Sequence, residues 1–219
     1  LYIPDGVNAR NTAPGVVVTG AWMTIKEQMA GRYAREMAER GFVALAFDFR
    51  TWGESGGRQR SMENPTMKIE DIVAAAKFLD ARRETTRGEI AGLGICASAG
   101  YMAHAAKRTD VLTSIALVAP WLHDRAIVNT VYGGETSVNG LIQTSRDAQA
   151  KFAQTGENTL VPAAGPQGSN AVMAGVPYYT ETDRGQIPQW ENSFNLASWE
   201  GWLTFDAQTA SGLKQPFFM

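Results

Sequence analysis

The chain has 219 residues, 44% of them apolar and 19% charged, which is enough to bury one core or a domain with a cap. Its net charge of −2 sets aside nucleic acid and anionic membranes as partners. One cysteine and two histidines leave no disulfide framework and no zinc-type ligand spacing, no apolar run nears the ~18 residues of a membrane span, and the first residues given lack the charged and apolar regions of a signal peptide.

Leu1-Tyr2-Ile3-Pro4-Asp5-Gly6 reads as the end of a strand and its turn. Val16–Thr19 is a short buried strand ending at Gly20. Thr24-Ile25-Lys26-Glu27 has the form of a capping box, which predicts a helix start there. Met29, Tyr33 and Met37 would share that helix's inner face, with Gly41 as its C-cap. Phe42–Phe47 is a second apolar strand. Asn64-Pro65 opens a helix with a stripe of Ile69, Ile72, Val73, Ala76 and Leu79, while Glu63, Glu70 and Asp71 read as solvated acids at its start. A strand at Ile90–Ile95, a helix from Ala97 to about Lys107 and a strand at Ile115–Ala119 follow. Continuous apolar strands separated by amphipathic helices predict the α/β class, with a mostly parallel sheet flanked by helices.

After Pro120 the texture changes. Between Trp121 and about Leu213 no clean strand is legible, and a helix near Leu141–Phe152 gives way to Gly/Pro-rich sequence through Pro188. This stretch is rich in aromatics, among them Trp121, Tyr132, Trp199 and Trp202. It is expected to be an inserted cap near the carboxyl ends of the strands, part of its aromatics forming its own core and a few lining an apolar pocket. Sheet resumes at Pro216–Met219. The expected organisation is therefore a core over residues 1–120, a cap over 121–213 and the start of a further core strand over 214–219.

The single cysteine lies where the Ile90–Ile95 strand turns into a helix. Gly94-Ile95-Cys96-Ala97-Ser98 has the small-x-nucleophile-x-small form of a nucleophile elbow, in which bulk beside the nucleophile would clash with a tight turn. Such a turn aims the side chain at solvent and leaves the next N–H groups at a helix N-terminus, where an oxyanion is welcome. Other readings stand beside it. Cys96-Ala97-Ser98-Ala99-Gly100 makes Ser98 the nucleophile, two residues past the expected turn. Gly92-Leu93-Gly94-Ile95-Cys96-Ala97 matches a dinucleotide fingerprint, but strand–helix units precede it and its nearest downstream acid, Asp110, comes too early. The plainest alternative is a small buried thiol.

With the Gly20-Ala21-Trp22 turn and the Asp48-Phe49-Arg50-Thr51-Trp52-Gly53-Glu54-Ser55-Gly56 turn, this elbow resembles the α/β-hydrolases. The second turn is similar to that fold's Asp-x-Arg-Gly-x-Gly-x-Ser-x-Gly, with Thr51 in place of glycine, and Arg50 and Glu54 read as its braces. Lys26-Glu27-Gln28-Met29, the elbow with Gly100 and Tyr101, and Ala119-Pro120-Trp121-Leu122-His123-Asp124 resemble the dienelactone-hydrolase-like group, which includes fungal polyketide transferases and thiohydrolases.

The resemblance implies Cys96 as nucleophile, the N–H of Ala97 as one oxyanion donor, and Ala21 or Trp22 as the second. It implies cleavage of an ester, lactone or thioester, or transfer of its acyl group, through an acyl intermediate. Trp22, Trp121, Tyr132, Trp199 and Trp202 are the candidates to hold a small acyl substrate. No cofactor and no metal are expected, the setting is expected to be cytoplasmic, and a homodimer is left open. The family order is nucleophile, acid, histidine, and neither histidine here takes the last place. His104 lies two turns into the helix behind the elbow, and His123 follows the Ile115–Ala119 strand. Asp124 serves either as the acid or as a helix cap. The reading therefore expects the acid and histidine beyond Met219, the alternative being a protein that binds on this fold without turnover.

Overall fold

The computed structural model describes residues 1–219, and they divide into two units. The first holds Leu1–Phe47, Thr66–Leu122 and Ala207–Met219, and the second Asp48–Pro65 and His123–Asp206. The turn over residues 48–65, read from sequence as part of the core, falls in the second unit. Long-range contacts draw it there: the Ser61 and Ser193 hydroxyls lie 2.6 Å apart, and Met62 packs with Ala148 and Ala197.

In the first unit, β1 (Ala13–Thr19), β2 (Val43–Ala46), β3 (Thr85–Ile95) and β4 (Leu112–Val118) form a parallel sheet. Its order is β2-β1-β3-β4, completed by the two-residue strand Phe217–Phe218 beside β4. Val16 and Val18 pack with Ala30 and Ala34, and Val17, which alternates to the other face, is just as buried. Both faces are therefore covered near the middle of β1, which is why its sequence is a continuous apolar run.

The helices are α1 (Met29–Glu39), α2 (Pro65–Asp80) and α3 (Ala97–Arg108). The start of α1 corrects the expected capping box. Residues 24–28 form turns, because Thr24 Oγ1 donates to the Ala21 carbonyl and Gln28 Oε1 accepts from the Ile25 N–H. These side-chain oxygens close local loops instead of capping a helix. The inner face of α1 is Ala30, Gly31 and Ala34, flanked by Met29 and Met37, while Tyr33 points outward. Glu63 is a further correction. It precedes α2 within the second unit and is fully buried, whereas Glu70 is exposed on the helix.

The second unit holds α4 (Arg125–Val131) and α5 (Glu135–Thr155), the latter longer than expected at both ends. Two small ladders occupy the stretch that read as strand-free: Leu160–Val161 against Phe194–Asn195, and Ala164–Gly165 against Met173–Ala174. Its interior is aromatic, with the Phe194 and Trp199 rings 4.8 Å apart and those of Tyr179 and Trp190 5.7 Å apart. No helix of the chain is long and apolar enough to cross a membrane.

Candidate active site

Cys96 stands between the last residue of β3 and the first of α3 with φ 57° and ψ −119°. A positive φ is uncommon away from glycine, and this ψ lies well outside the small left-handed well that other residues visit. Its surroundings hold the strain. The Cys96 N–H donates to the Val118 carbonyl at 3.0 Å, and the Cys96 carbonyl accepts from the N–H groups of Ala99 and Trp121, each at 3.0 Å. The second of these comes from the turn after β4, where Ala119 itself has φ 44°.

Of the glycines before Cys96, Gly94 is sterically required. A Cβ at Gly94 would stand 2.5 Å from the Ser98 carbonyl oxygen and 2.9 Å from Ala99 Cα, both backbone atoms of α3. A Cβ at Gly92 would meet only the Met102 side chain, which would have to shift. Bare strand residues thus let the helix start directly behind Cys96. The thiol is half-buried. Ser98, the alternative nucleophile, is 1% exposed, and its hydroxyl has no hydrogen-bond partner within the protein.

Ala97 is the first residue of α3, so its N–H has no acceptor within the helix and lies at the positive end of the helix dipole. The turn after β1 reaches the same level of the sheet. Thr19 pairs with Gly94 in the parallel register, which places Ala21 and Cys96 each two residues past one rung. Ala21 and Trp22 are both buried in this turn, while Trp121 is half-buried.

The remaining candidates lie in the second unit. His123 is 2% exposed; its Nε2–H donates to the Trp202 carbonyl at 3.0 Å, and its ring meets Trp202 edge-on at 4.3 Å. Burial holds its pKa below the usual histidine range, against the opposing pull of the Trp202 carbonyl and of Asp206. This is the environment of a packed, neutral imidazole. The Asp124 carboxylate caps α4 by accepting the Ile127 N–H at 2.9 Å. Tyr132 accepts the Trp202 indole N–H at 2.7 Å and meets Trp199 at 5.5 Å, and burial pushes its hydroxyl up to about 12. Tyr132, Trp199 and Trp202 are therefore brought together, as parts of one aromatic interior. His104, on α3, lies 3.4 Å from the Thr209 hydroxyl.

Sequence reasoning missed Met23 and Ala119, both at positive φ without being glycine. It also read Thr24 as a helix cap, although a small residue at Gly20 facing a hydroxyl four residues later was an available sign of a closed turn.

No family model matches the chain. It is 30% identical over 213 residues to the uncharacterized protein YcjY of Escherichia coli (strain K12), covering 94% of this chain and 69% of YcjY. It is 31% identical over 200 residues to the uncharacterized protein PA2218 of Pseudomonas aeruginosa, covering 89% of this chain but only 53% of PA2218. The polyketide transferase claH of Penicillium crustosum matches at 27% over 110 residues, 49% of this chain and 35% of claH. Among solved structures, PA2218 superposes with a TM-score of 0.82 at 25% identity, covering 98% of this chain and 70% of that one. The α/β hydrolase GrgF from Penicillium sp. sh18 superposes at 0.75 with 18% identity, covering 97% and 71%.

Proposed function

The chain belongs to the α/β-hydrolase superfamily, in the family of YcjY, and on that premise we propose that it cleaves an ester, lactone or thioester through an acyl intermediate on Cys96. The observation that carries this reading is the backbone of Cys96, held at φ 57° and ψ −119° between β3 and α3. Strain of about 1–3 kcal/mol persists only where the surroundings impose it, and such strain concentrates where a side chain must be presented for chemistry.

In this mechanism the Cys96 sulfur attacks the substrate carbonyl carbon. As the C–S bond forms, the carbonyl oxygen becomes an oxyanion beside the Ala97 N–H and a second N–H from the turn after β1. The N-terminal end of α3 favours negative charge at this place. Each well-aimed donor to such an oxyanion contributes about 3 kcal/mol to the transition state. Collapse of the intermediate releases the alcohol or thiol, which leaves with the proton lost by Cys96. Water then attacks the acyl-enzyme in hydrolysis, and an alcohol, amine or thiol does so in transfer. The match to a polyketide transferase supports keeping both acceptors in the reading.

The test is an intact-mass measurement after brief exposure to p-nitrophenyl acetate. One acetyl group should appear on Cys96, persist in Ser98→Ala and vanish in Cys96→Ala. An unmodified wild-type protein, or an adduct that survives in Cys96→Ala, overturns the proposal. Deacylation with and without an added alcohol or amine then separates hydrolysis from transfer.

A further inference from the structure

The turn after β1 has three features that the acyl mechanism leaves without a role. Thr24 is buried, its hydroxyl donates to the Ala21 carbonyl at 2.6 Å, and its own N–H reaches the same carbonyl at 3.3 Å. Gly20 makes room for this arrangement, since a Cβ there would stand 2.5 Å from Thr24 Oγ1. Met23 is fully buried at φ 60°, a conformation that methionine keeps only when its surroundings impose it. The turn is thus closed by a side chain and held in a backbone form it would not choose alone.

A trans peptide group is planar, so its C=O and N–H point in opposite directions. The Ala21 carbonyl and the Trp22 N–H belong to one such group. Two donors from Thr24 fix the carbonyl inward, and the same two bonds therefore aim the Trp22 N–H out of the turn. The register of β1 on β3, with Thr19 opposite Gly94, sets this peptide at the level of Cys96.

We propose that Thr24 is a positioning residue of the oxyanion site, and that the second donor is the Trp22 N–H rather than that of Ala21. The proposal rests on the acyl mechanism above and adds a residue to it. Thr24 touches no reacting atom; it acts by holding the Ala21–Trp22 peptide.

Two thiol probes separate positioning from a general structural role. With p-nitrophenyl acetate, the carbonyl carbon bonds to sulfur and passes through an oxyanion before p-nitrophenolate leaves. With iodoacetamide, a C–S bond forms as iodide leaves, and no oxyanion arises. In both reactions the thiol proton passes to solvent.

Thr24→Val should slow acetylation of Cys96 by about ten- to a hundredfold, below the loss seen when a whole donor is removed, and leave alkylation unchanged. Thr24→Ser keeps the hydroxyl and should restore most of the rate. Gly20→Ala, which displaces that hydroxyl, should reproduce the selective loss. Acetylation at the wild-type rate in Thr24→Val overturns the proposal. So does an equal fall in both reactions, which marks Thr24 as merely structural. A wild-type protein that is alkylated but never acetylated instead overturns the acyl mechanism itself, and this proposal with it.

Discussion

Replacing Cys96 by glycine should make the protein more stable than replacing it by alanine. Both variants lack the thiol, so their difference isolates the backbone. Alanine keeps a Cβ in a conformation, φ 57° and ψ −119°, that L-residues avoid. A residue held in such a region costs about 1–3 kcal/mol, and glycine removes that cost. Glycine in turn loses about 0.5–1 kcal/mol through its greater freedom in the unfolded chain. The three backbone hydrogen bonds of residue 96 are common to both variants and cancel. The net expectation is about 1 kcal/mol in favour of glycine, or ~2–4 °C in melting temperature for a chain of this length. Thermal melts of the two variants, followed by circular dichroism under identical conditions, give the comparison directly. A glycine variant that melts at or below the alanine variant would refute the claim that the elbow stores strain.

Ser98→Ala removes a buried hydroxyl that has no partner within the protein, and it should raise stability by about 1 kcal/mol in urea titration. A loss of more than that amount would show the hydroxyl to be engaged after all. His123 predicts a pH dependence. Its folded pKa is lowered by burial, so below about pH 6.5 the unfolded chain binds a proton that the folded one refuses. Its contribution is complete above that pH and is lost as pH falls toward the lowered folded value, at up to ~1.4 kcal/mol per pH unit. His123→Gln should flatten the change in urea midpoint between pH 7 and pH 5, although it loses ring packing on Trp202; equal slopes in the two proteins would contradict the buried neutral imidazole.

Much of the parallel sheet was readable because Val16–Val18, Val43–Ala46, Ile90–Ile95 and Ile115–Val118 are apolar runs, whereas the earlier starts of β3 at Thr85 and of β4 at Leu112 lie in mixed polar sequence that carries no such signal. The elbow was readable for a related reason: Gly92, Gly94 and Cys96 lie within one short segment, and steric demand over five residues leaves a local pattern. What escaped was non-local or conformational. The Thr24 hydroxyl, which with Glu27 suggests a capping box, closes a turn here, and the choice depends on the Ala21 carbonyl being within reach. Met23 and Ala119 carry no glycine to announce a positive φ. Glu63 and Lys68 look like surface charges, yet both are buried, Lys68 with its ammonium 5.8 Å from the centre of the Tyr101 ring. The assignment of residues 48–65 to the second unit depends on partners more than a hundred residues away, such as Asn195, whose side chain donates to the Arg60 carbonyl at 2.9 Å.

The bare glycines of β3 have a mechanical consequence. With no side chain at Gly92 or Gly94, the first turn of α3 rests on the strand's own backbone, and Met102, fully buried, fills the space that remains. Backbone contact cannot be repacked, so the height of the thiol above the sheet is insulated from changes elsewhere in the core. The one soft part in that stack is a thioether with three rotatable bonds. Substitutions accumulating around the sheet can therefore reach Cys96 chiefly through the volume at position 102, which makes Met102 a tuning screw for a geometry that is otherwise set by main chain alone.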